Sequence, residues 1–302
     1  MIAETCRRAT ETDRSPGRRE TYHGSGAESV KVPNIGRDIQ ANIGREQAEL
    51  EDAYRLLATN YRARGYEAPG STPYRYTPYH ALPGTATFVA RHDRRVVATL
   101  TLVPDTELLG LPMESIYGAE VDRLRRKGRR LAEFTSLAVQ GLSLREFTQA
   151  FNTLITLAMQ YHIRQGGDTW VMAVHPRHKN YYRKVLGFAP LGSRKSYPAV
   201  MDQPAEACVV DLDLMKNNAP AMYSAVTGVP LADPVLSANG WSAERVRYFG
   251  SRSNTMDEGT LEAILLGVEK DGSPFRWATG LTTQGKAPAS DAAKAAAGRE
   301  SV

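Results

Sequence analysis

Residues 131 to 190 constrain the fold of this chain more than any other stretch. They contain an apolar run over Leu131–Val139, an amphipathic segment, and a second apolar run over Asp168–His175. Ser143 and Glu146 form a capping box at the start of the middle segment, which predicts a helix that runs to the next pair of glycines. A strand, a helix and a strand in this order predict two parallel, neighbouring strands.

The sequence around this unit predicts further strands and helices. Two β-branched runs joined by a four-residue polar turn predict a hairpin, and apolar residues at helical spacing predict helices. Four prolines between residues 69 and 83 predict an irregular loop. Helices are predicted over residues 46–64, 112–124 and 179–186, and hairpin strands over residues 85–91 with 96–103 and 194–200 with 205–212.

Composition divides the chain into four parts. The two ends are polar with almost no apolar periodicity, which predicts disorder. The segment after the core is less regular, with helices expected near residues 241–249 and 260–268. The predicted parts are a disordered leader over 1–45, an α/β core over 46–214, a helical extension or lid over 215–281, and a disordered tail over 282–302.

Charge and composition bound the function. The chain has 302 residues, a formal net charge of +5 and a pI near 9.1, which favours an acidic partner such as nucleic acid, an anionic membrane surface or an acidic carrier protein. Cys6 and Cys208 have no metal-ligand spacing, so we expect free thiols and no metal. No run approaches the ~18 apolar residues of a membrane span, and no signal core is visible. We therefore expect a cytoplasmic protein without an integral membrane segment.

Glu133 is the sharpest candidate for chemistry. Period-two alternation along its strand places it on one face with Leu131, Thr135, Leu137 and Val139. A carboxylate on a mostly apolar face loses hydration, which raises its pKa and suits a general base. The alternative is a glutamate near the start of the strand that points to solvent or pairs with a nearby arginine.

A basic run precedes this strand. It places six cations in eight positions, at Arg123, Arg125, Arg126, Lys127, Arg129 and Arg130. One interpretation is a solvated helix end, where cations also favour the helix dipole. The other is a docking patch for an acidic carrier protein, or a phosphate clamp. No recognised nucleic-acid motif accompanies the run, so we do not expect nucleic acid as a partner.

Further candidates follow the second parallel strand. His175 and His178 stand where loops at strand ends line ligand clefts in α/β folds, which suggests a cleft-lining role or a proton shuttle. Arg194 and Tyr197 are candidates for contact with a substrate carboxylate, because arginine binds carboxylates bidentately. A surface arginine and a core tyrosine are the plainer readings of the same two residues.

The segment HPRHKNYYRKVLGFAPLG is similar to a segment of the GNAT superfamily of acyltransferases. Ordinary members also carry a glycine-rich loop that cradles the coenzyme A pyrophosphate after the first parallel strand. The corresponding residues 139–144 read VQGLSL, so that loop is absent. The segments TFVARHDRRVVATLTLVPD, LPMESIYGAEVDRLRRKGRRLAEFTSLAV and PAEACVVDLDL complete a pattern over residues 53–212. It resembles the N-acyl amino acid synthase (FeeM-type) family, which is related to the autoinducer synthases.

This resemblance implies a GNAT-like α/β (α+β) fold with a mostly antiparallel mixed sheet and two splayed parallel strands. It implies transfer of a fatty acyl group from the phosphopantetheine thioester of acyl carrier protein to the α-amine of an amino acid, with no bound cofactor. Ser136 and Leu57 replace two arginines of the autoinducer synthases, which argues against homoserine lactone synthesis.

The same resemblance assigns roles to the candidate residues. Glu133 takes a proton from the amine, and backbone amides near Thr135–Leu137 stabilise the oxyanion. The expected substrate-binding residues are Phe134, Thr135, Ser136, His175, Arg194 and Tyr197, and the expected carrier-docking residues are Arg125, Arg126, Lys127, Arg129 and Arg130. Two alternatives stay open: a GNAT-like enzyme that uses acyl-coenzyme A on another amine, and a non-catalytic module that binds acyl groups or a carrier protein.

Overall fold

One twisted sheet organises the chain. The computed structural model describes residues 29–33, 38–68, 72–238, 242–253 and 255–270. Within them, eight strands form a single sheet with the order β1-β2-β3-β4-β5-β6-β8-β7. The strands are β1 (Val30–Lys31), β2 (Ile39–Ile43), β3 (Ala86–His92), β4 (Arg95–Pro104), β5 (Leu131–Val139), β6 (Thr169–Val174), β7 (Ala189–Tyr197) and β8 (Gln203–Asp211).

Every neighbouring pair in this sheet is antiparallel except β5 and β6, which are parallel. The crossover helix predicted between those two strands is present, and the Ser143–Glu146 capping box starts it. The predicted mixed, mostly antiparallel sheet is therefore confirmed.

Helices cover both faces of the sheet. Helix α3 packs on β2, β3 and β4, α1 packs on β4 and β5, and α2 packs on β7. Among the described residues, no helix is long and apolar enough to cross a membrane. The helices are α1 (Gln47–Ala63), α2 (Glu114–Arg126), α3 (Leu144–Arg164), α4 (Lys179–Leu186), α5 (Leu212–Asn218), α6 (Pro220–Thr227), α7 (Asp233–Leu236), α8 (Ala243–Gly250) and α9 (Glu258–Lys270).

The parallel pair is joined over only three residues of each strand. Leu131–Glu133 pairs with Thr169–Val171, and beyond these residues β5 and β6 diverge. Strand β5 stays paired with β4, and β6 stays paired with β8, through antiparallel ladders. The divergence of β5 and β6 therefore opens a V-shaped gap within one continuous sheet. The predicted pair of splayed strands is confirmed.

Strand β2 corrects the predicted boundary of the leader. Residues 39–43 fall inside the predicted disordered segment 1–45, but they pair with β3, and Ile39, Ala41 and Ile43 are buried. The alternation of apolar and polar residues covers only five positions, which is too short to stand out in a polar stretch. The remainder of the leader before residue 29, and the tail 282–302, lie outside the described residues.

The core also continues past its predicted end at residue 214. That boundary falls inside α5, whose Met215 is fully buried in the cluster beneath α3, together with residues of α6 and α7. Helices α8 and α9 confirm the two helices predicted further on. Their Phe249 and Ile264 pack with Leu50 and Tyr54, so this segment covers the first half of α1, whereas the gap is lined by residues at the other end of the helix.

Candidate active site

The gap between β5 and β6 holds a cavity of about 190 Å³. Its walls come from the second half of β5, the end of β6, the end of α1, and helices α3 and α4. Most of the lining side chains are apolar or aromatic, which suits an extended apolar group better than a polar one. The lining residues are Tyr61, Arg64, Tyr66, Leu100, Phe134, Thr135, Ser136, Leu137, Ala138, Val139, Phe147, Phe151, Met172, Ala173, Val174, His175, His178, Tyr181 and Tyr182.

Glu133 is buried at the closed end of this gap, where the two strands separate. Glu133 is only 2% exposed to solvent. Its Oε2 accepts a hydrogen bond of 2.8 Å from the Met113 backbone N–H. Burial raises the pKa of Glu133 to about 8; the Met113 hydrogen bond lowers it in part, and Glu114 raises it. Thr135, two residues along β5, already lines the cavity. The carboxyl group therefore lies beside the gap and titrates near neutral pH.

Three tyrosine side chains lie within electrostatic reach of this carboxyl group. Burial raises the pKa of Tyr61, Tyr79 and Tyr197, and the negative charge of Glu133 raises each of them further. The Arg75 guanidinium lies 4.3 Å from the centre of the Tyr61 ring. Tyr197, which the sequence places at the substrate, is thus beside Glu133. These neutral hydroxyls and one cation make a polar compartment next to the apolar cavity.

Arg125 does not belong to a docking patch, and that prediction is wrong. Its side chain is 4% exposed and binds Asp105 through two hydrogen bonds of 2.6 and 2.8 Å, Asp122 at 3.0 Å, and Glu114. In the sequence, Arg125 looks like part of an exposed basic run because the exposed Arg123 lies two positions before it. Residues two positions apart point to different sides of a helix, so one can be buried while the other is exposed. We call these four residues the Arg125 clamp.

The clamp fixes the loop that carries the Met113 N–H. Glu114 Oε1 accepts a hydrogen bond of 2.7 Å from the Leu111 N–H, and Gly110 before it has a φ of 66°, where an added Cβ would strike the Glu114 carboxylate. Asp105 is anchored through its own N–H to the Leu131 carbonyl of β5 at 2.9 Å. The loop, the start of α2 and the start of β5 are therefore held in one position around Glu133.

The alternation predicted along β5 is wrong after Thr135. Ser136 has a φ of 55°, and the ladder to β4 shifts at this point, which is a β-bulge. Beyond it Leu137 and Val139 pack in the cluster beneath α3, whereas Ala138 faces α1. Glu133 therefore does not share a face with Leu137 and Val139. The bulge also leaves the Ser136 and Leu137 backbone outside the regular register, at the wall of the cavity.

Phe134, Thr135 and Ser136 line the cavity, as does His175 at its open end. Arg194 does not. It lies on β7 in a separate depression, where its side chain is 64% exposed and stands 3.3 Å from Glu206. Arg194 lies where the register of β7 against β8 is shifted, between Gly192 and Lys195, whereas Tyr197 follows in regular register and feels the charge of Glu133.

The rest of the basic run lies at the other end of β5 from the mouth of the cavity. Arg130 directly precedes β5, and its Nη1 donates to the Gly166 carbonyl before β6. Arg129 stands 3.1 Å from Asp211, while Arg126 and Lys127 are exposed. The mouth is at the carboxyl ends of the two strands, near Val139 and His175. Carrier docking at this run stays a prediction.

Several residues of the cavity wall and of the surroundings of Glu133 were not singled out from the sequence. Arg64 closes α1 and faces the mouth, and Tyr66 follows it. Arg75 and Tyr79 come from the loop predicted to be irregular, which contains a short 3₁₀ turn at Pro78–Ala81. The sequence of this loop contains a signal, because it is rich in aromatic residues. Aromatic side chains bury large areas, so a loop with several of them is expected to pack against the core.

The described residues contain no group of three His, Cys, Asp or Glu side chains that could hold a metal ion. The site contains a buried carboxyl group whose pKa burial raises to about 8, a strand with a β-bulge at the cavity wall, and an apolar cavity open at one end. Two splayed parallel strands with a buried carboxyl group, a β-bulge and an apolar cavity between them define an N-acyltransferase of the GNAT-like fold.

Comparison with known proteins places the chain more narrowly. The profile of the FeeM family (N-acyl amino acid synthase FeeM) matches residues 52–211, which is more than half of the chain. The chain belongs to this family of N-acyl amino acid synthases. No curated protein matches it.

Among solved structures, that of FeeM, an N-acyl amino acid synthase from uncultured soil microbes, is 26% identical with a TM-score of 0.54. The match covers 61% of this chain and 95% of that chain. The acyl-homoserine lactone (AHL) synthase LasI matches at 15% identity and a TM-score of 0.46, over 66% of this chain and 99% of that one. The structure of the CoA-dependent acyl-homoserine lactone synthase BjaI, with SAM and isopentyl-CoA, matches at 16% identity and a TM-score of 0.45. This match covers 67% of this chain and 95% of that one.

Proposed function

We propose that this N-acyltransferase moves a long-chain fatty acyl group from the phosphopantetheine thioester of acyl carrier protein to the α-amine of an amino acid. The observation that carries the proposal is the position of Glu133. Its buried carboxyl group, with a pKa of about 8, lies at the closed end of a gap with apolar walls. The expected cytoplasmic location stays a prediction.

In this proposal the acyl chain occupies the part of the cavity beneath α3, and the strand gap towards the mouth is left for the pantetheine arm of the donor. Phe134, Phe147 and Phe151 contribute aromatic walls, and Phe147 stacks on Phe151 at 5.6 Å between ring centres. Burial of each methylene of an acyl chain contributes about 0.8 kcal/mol, so a long chain gains more than a short one. The thioester end then lies near the bulge of β5, where the gap narrows towards Glu133.

The acceptor amine binds in the compartment of Tyr61, Tyr79 and Tyr197. An amino acid enters as an ammonium ion, which is not nucleophilic. The Glu133 carboxylate takes one proton from the ammonium group, directly or through water. The α-amine of a peptide has a pKa of about 8, and the ammonium group of a free amino acid is a weaker acid than that. A base with a pKa of about 8 therefore greatly narrows the gap in pKa that an ordinary carboxylate, at 4.5, would leave, and so lowers the free-energy cost of the proton transfer.

The free amine then attacks the thioester carbonyl carbon. A carbon–nitrogen bond forms, and the carbonyl π electrons move to oxygen, where the Ser136 and Leu137 backbone N–H groups at the bulge stabilise the charge. The oxyanion collapses, the carbon–sulfur bond breaks, and the thiolate leaves. The second nitrogen proton passes to the thiolate, and Glu133 returns its proton to water, which gives an N-acyl amino acid and a free thiol.

The donor is tested by rates on two thioesters. Thiol release and product mass are measured with palmitoyl-acyl carrier protein and with palmitoyl-coenzyme A, each with a mixture of amino acids. The proposal predicts an N-palmitoyl amino acid from both or from the carrier alone, with the higher kcat/KM on the carrier. A higher kcat/KM on coenzyme A contradicts the carrier as donor, and thioester binding with no thiol release contradicts catalysis.

A further inference from the structure

We propose that Arg64 and Arg177 bind the phosphate group that ends the pantetheine arm of the donor. The inference rests on the proposed function in so far as the donor carries such an arm. It locates the anionic end of the donor at the mouth of the cavity, away from the basic run at residues 123–130.

Both guanidinium groups are held by hydrogen bonds beside the mouth: Arg64 lines the cavity, and Arg177 is bonded to two of the lining residues. Arg64 closes α1, and its Nη1 donates to the Asn60 carbonyl at 3.0 Å and to the Asn60 Oδ1 at 2.8 Å. Arg177 lies on the 3₁₀ turn after β6; its Nη2 donates to the Tyr66 hydroxyl at 2.9 Å and its Nε to His178 Nε2 at 3.2 Å. Each arginine keeps further N–H donors for a ligand, because a guanidinium group has five.

This pair carries uncompensated positive charge. In the described part of the chain no carboxylate lies within 4.0 Å of either guanidinium group, whereas Arg125 and Lys179 are paired with carboxylates. Burial lowers the pKa of Arg64, and the charge of Arg177 lowers it further, so the two cations repel each other. Such a pair is stabilised by an anion that lies between them.

The two histidines at the mouth do not share this charge. Burial, Arg177, His175 and Arg64 lower the pKa of His178 to about 4, and burial and the nearby arginines lower that of His175. Both rings are therefore neutral at neutral pH. Arg64 is the only cation among the described residues that line the cavity, Arg177 lies directly beside it, and the two rings offer neutral hydrogen-bonding groups.

The chemistry of a pantetheine arm fits this polarity. The arm is uncharged along its length. It carries a thioester at one end and a phosphate ester at the other. Six residues of β5 separate Glu133 from Val139 at the mouth, a span of about 20 Å at 3.3 Å per residue, comparable to an extended arm. Arginine binds phosphate bidentately, and a charge-assisted hydrogen bond contributes about 1.5–3 kcal/mol. A carrier-linked arm ends in a phosphodiester and coenzyme A in a pyrophosphate, and both donors share the anionic oxygens of the phosphate attached to the arm.

Binding of unreactive analogues tests the inference without turnover. S-dodecyl-pantetheine and S-dodecyl-4′-phosphopantetheine are thioethers that differ only in the phosphate, and their Kd values are measured by calorimetry. We expect the phosphate to tighten binding at least tenfold in the wild type. The preference should fall below threefold in the Arg64→Gln/Arg177→Gln double variant, with little change in Kd for the unphosphorylated analogue.

Arg126→Gln is the matched control, because it removes an exposed cation of the basic run at the other end of β5. It should leave the phosphate preference unchanged. A wild type with no preference for the phosphate, or a double variant that keeps it, overturns the inference. Equal loss of affinity for both analogues also overturns it, since that result indicates a structural role.

Kinetics separate the two sources of the phosphate and separate this inference from the proposed function. KM is compared for dodecanoyl-carrier protein and dodecanoyl-coenzyme A in the wild type and the double variant. A rise of about tenfold with both donors identifies the shared phosphate, and no rise with either overturns the inference. A phosphate preference in binding without thiol release from any donor keeps the anion site and rejects the proposed function.

Discussion

Replacement of Glu133 by glutamine should slow turnover by about 10²- to 10⁴-fold and stabilise the protein at high pH. The folded pKa of about 8 lies 3.5 units above the ordinary value of 4.5, and one unit corresponds to about 1.4 kcal/mol. A raised carboxyl pKa gives stability that is present at low pH and is lost as the pH rises from about 4.5 to about 8. By pH 9 the ionised, buried carboxylate costs the wild type about 5 kcal/mol.

Glutamine removes this cost and retains an oxygen that accepts the Met113 hydrogen bond. Urea unfolding of both proteins at pH 5 and pH 9 should give a difference of about 1 kcal/mol at pH 5 and about 5 kcal/mol at pH 9, with Glu133→Gln the more stable. Glu262→Gln, an exposed residue on α9, should show no such trend. A Glu133→Gln protein that loses stability equally at both pH values refutes the buried, protonated carboxyl group.

Activity should change in parallel. A general base contributes about 10²- to 10⁴-fold, so thiol release by Glu133→Gln should fall by this factor. Wild-type kcat/KM should rise with pH through about 8, because the carboxyl group must be ionised to accept a proton. Unchanged turnover in the variant removes Glu133 from the mechanism even if the stability result holds.

Three further variants test the surroundings of the base. Arg125→Met leaves buried carboxylates without their cation and should cost about 3–5 kcal/mol in urea unfolding at pH 7, whereas the exposed Arg126→Met should change stability by less than about 0.5 kcal/mol. Ser136→Val places a β-branched residue at a φ of 55° and should lower both kcat and thermal stability, while Ser136→Gly should retain the stability. Val174→Phe fills part of the cavity and should raise KM for hexadecanoyl donors more than for butanoyl donors in a chain-length series. Equal effects on both chain lengths contradict the cavity as the acyl site.

Much of the fold was predictable from the sequence because its central elements carry strong local signals. The run Leu131–Val139 forms β5 with the predicted bounds, and the capping box at Ser143 starts α3. By contrast, β2 covers five residues in a polar stretch and is stabilised by pairing with β3 and by packing under α3. Pairing partners far along the chain are not visible in local periodicity, so this strand was missed.

The candidate base was predictable, but its setting was not. A lone carboxylate in an apolar run identified Glu133. The bulge at Ser136 then reverses the facing of every later residue of β5, and a serine gives no signal for a positive φ, which is typical of glycine or asparagine. The predicted alternation failed at that residue and nowhere earlier on the strand.

Charge patterns were the least predictable part. Arg125 stands among exposed cations in the sequence, yet it is the buried centre of the clamp because Asp105 and Glu114 come from a strand end and a helix start that the fold brings together. Arg64 and Arg177 lie 113 positions apart in the chain and meet only at the mouth of the cavity. A run of like charges is visible in the sequence, whereas a pair assembled by topology is not.

The central claim is transfer of an acyl group to the α-amine of an amino acid, and one assay tests it most directly. Purified protein is incubated with palmitoyl-acyl carrier protein and each of the twenty amino acids separately; thiol release is followed and the products are identified by mass spectrometry. The account predicts stoichiometric thiol and N-palmitoyl amino acid with at least one acceptor, and product formation at least about a hundredfold slower with Glu133→Gln. Folded protein that gives no N-acyl product with any of the twenty contradicts it.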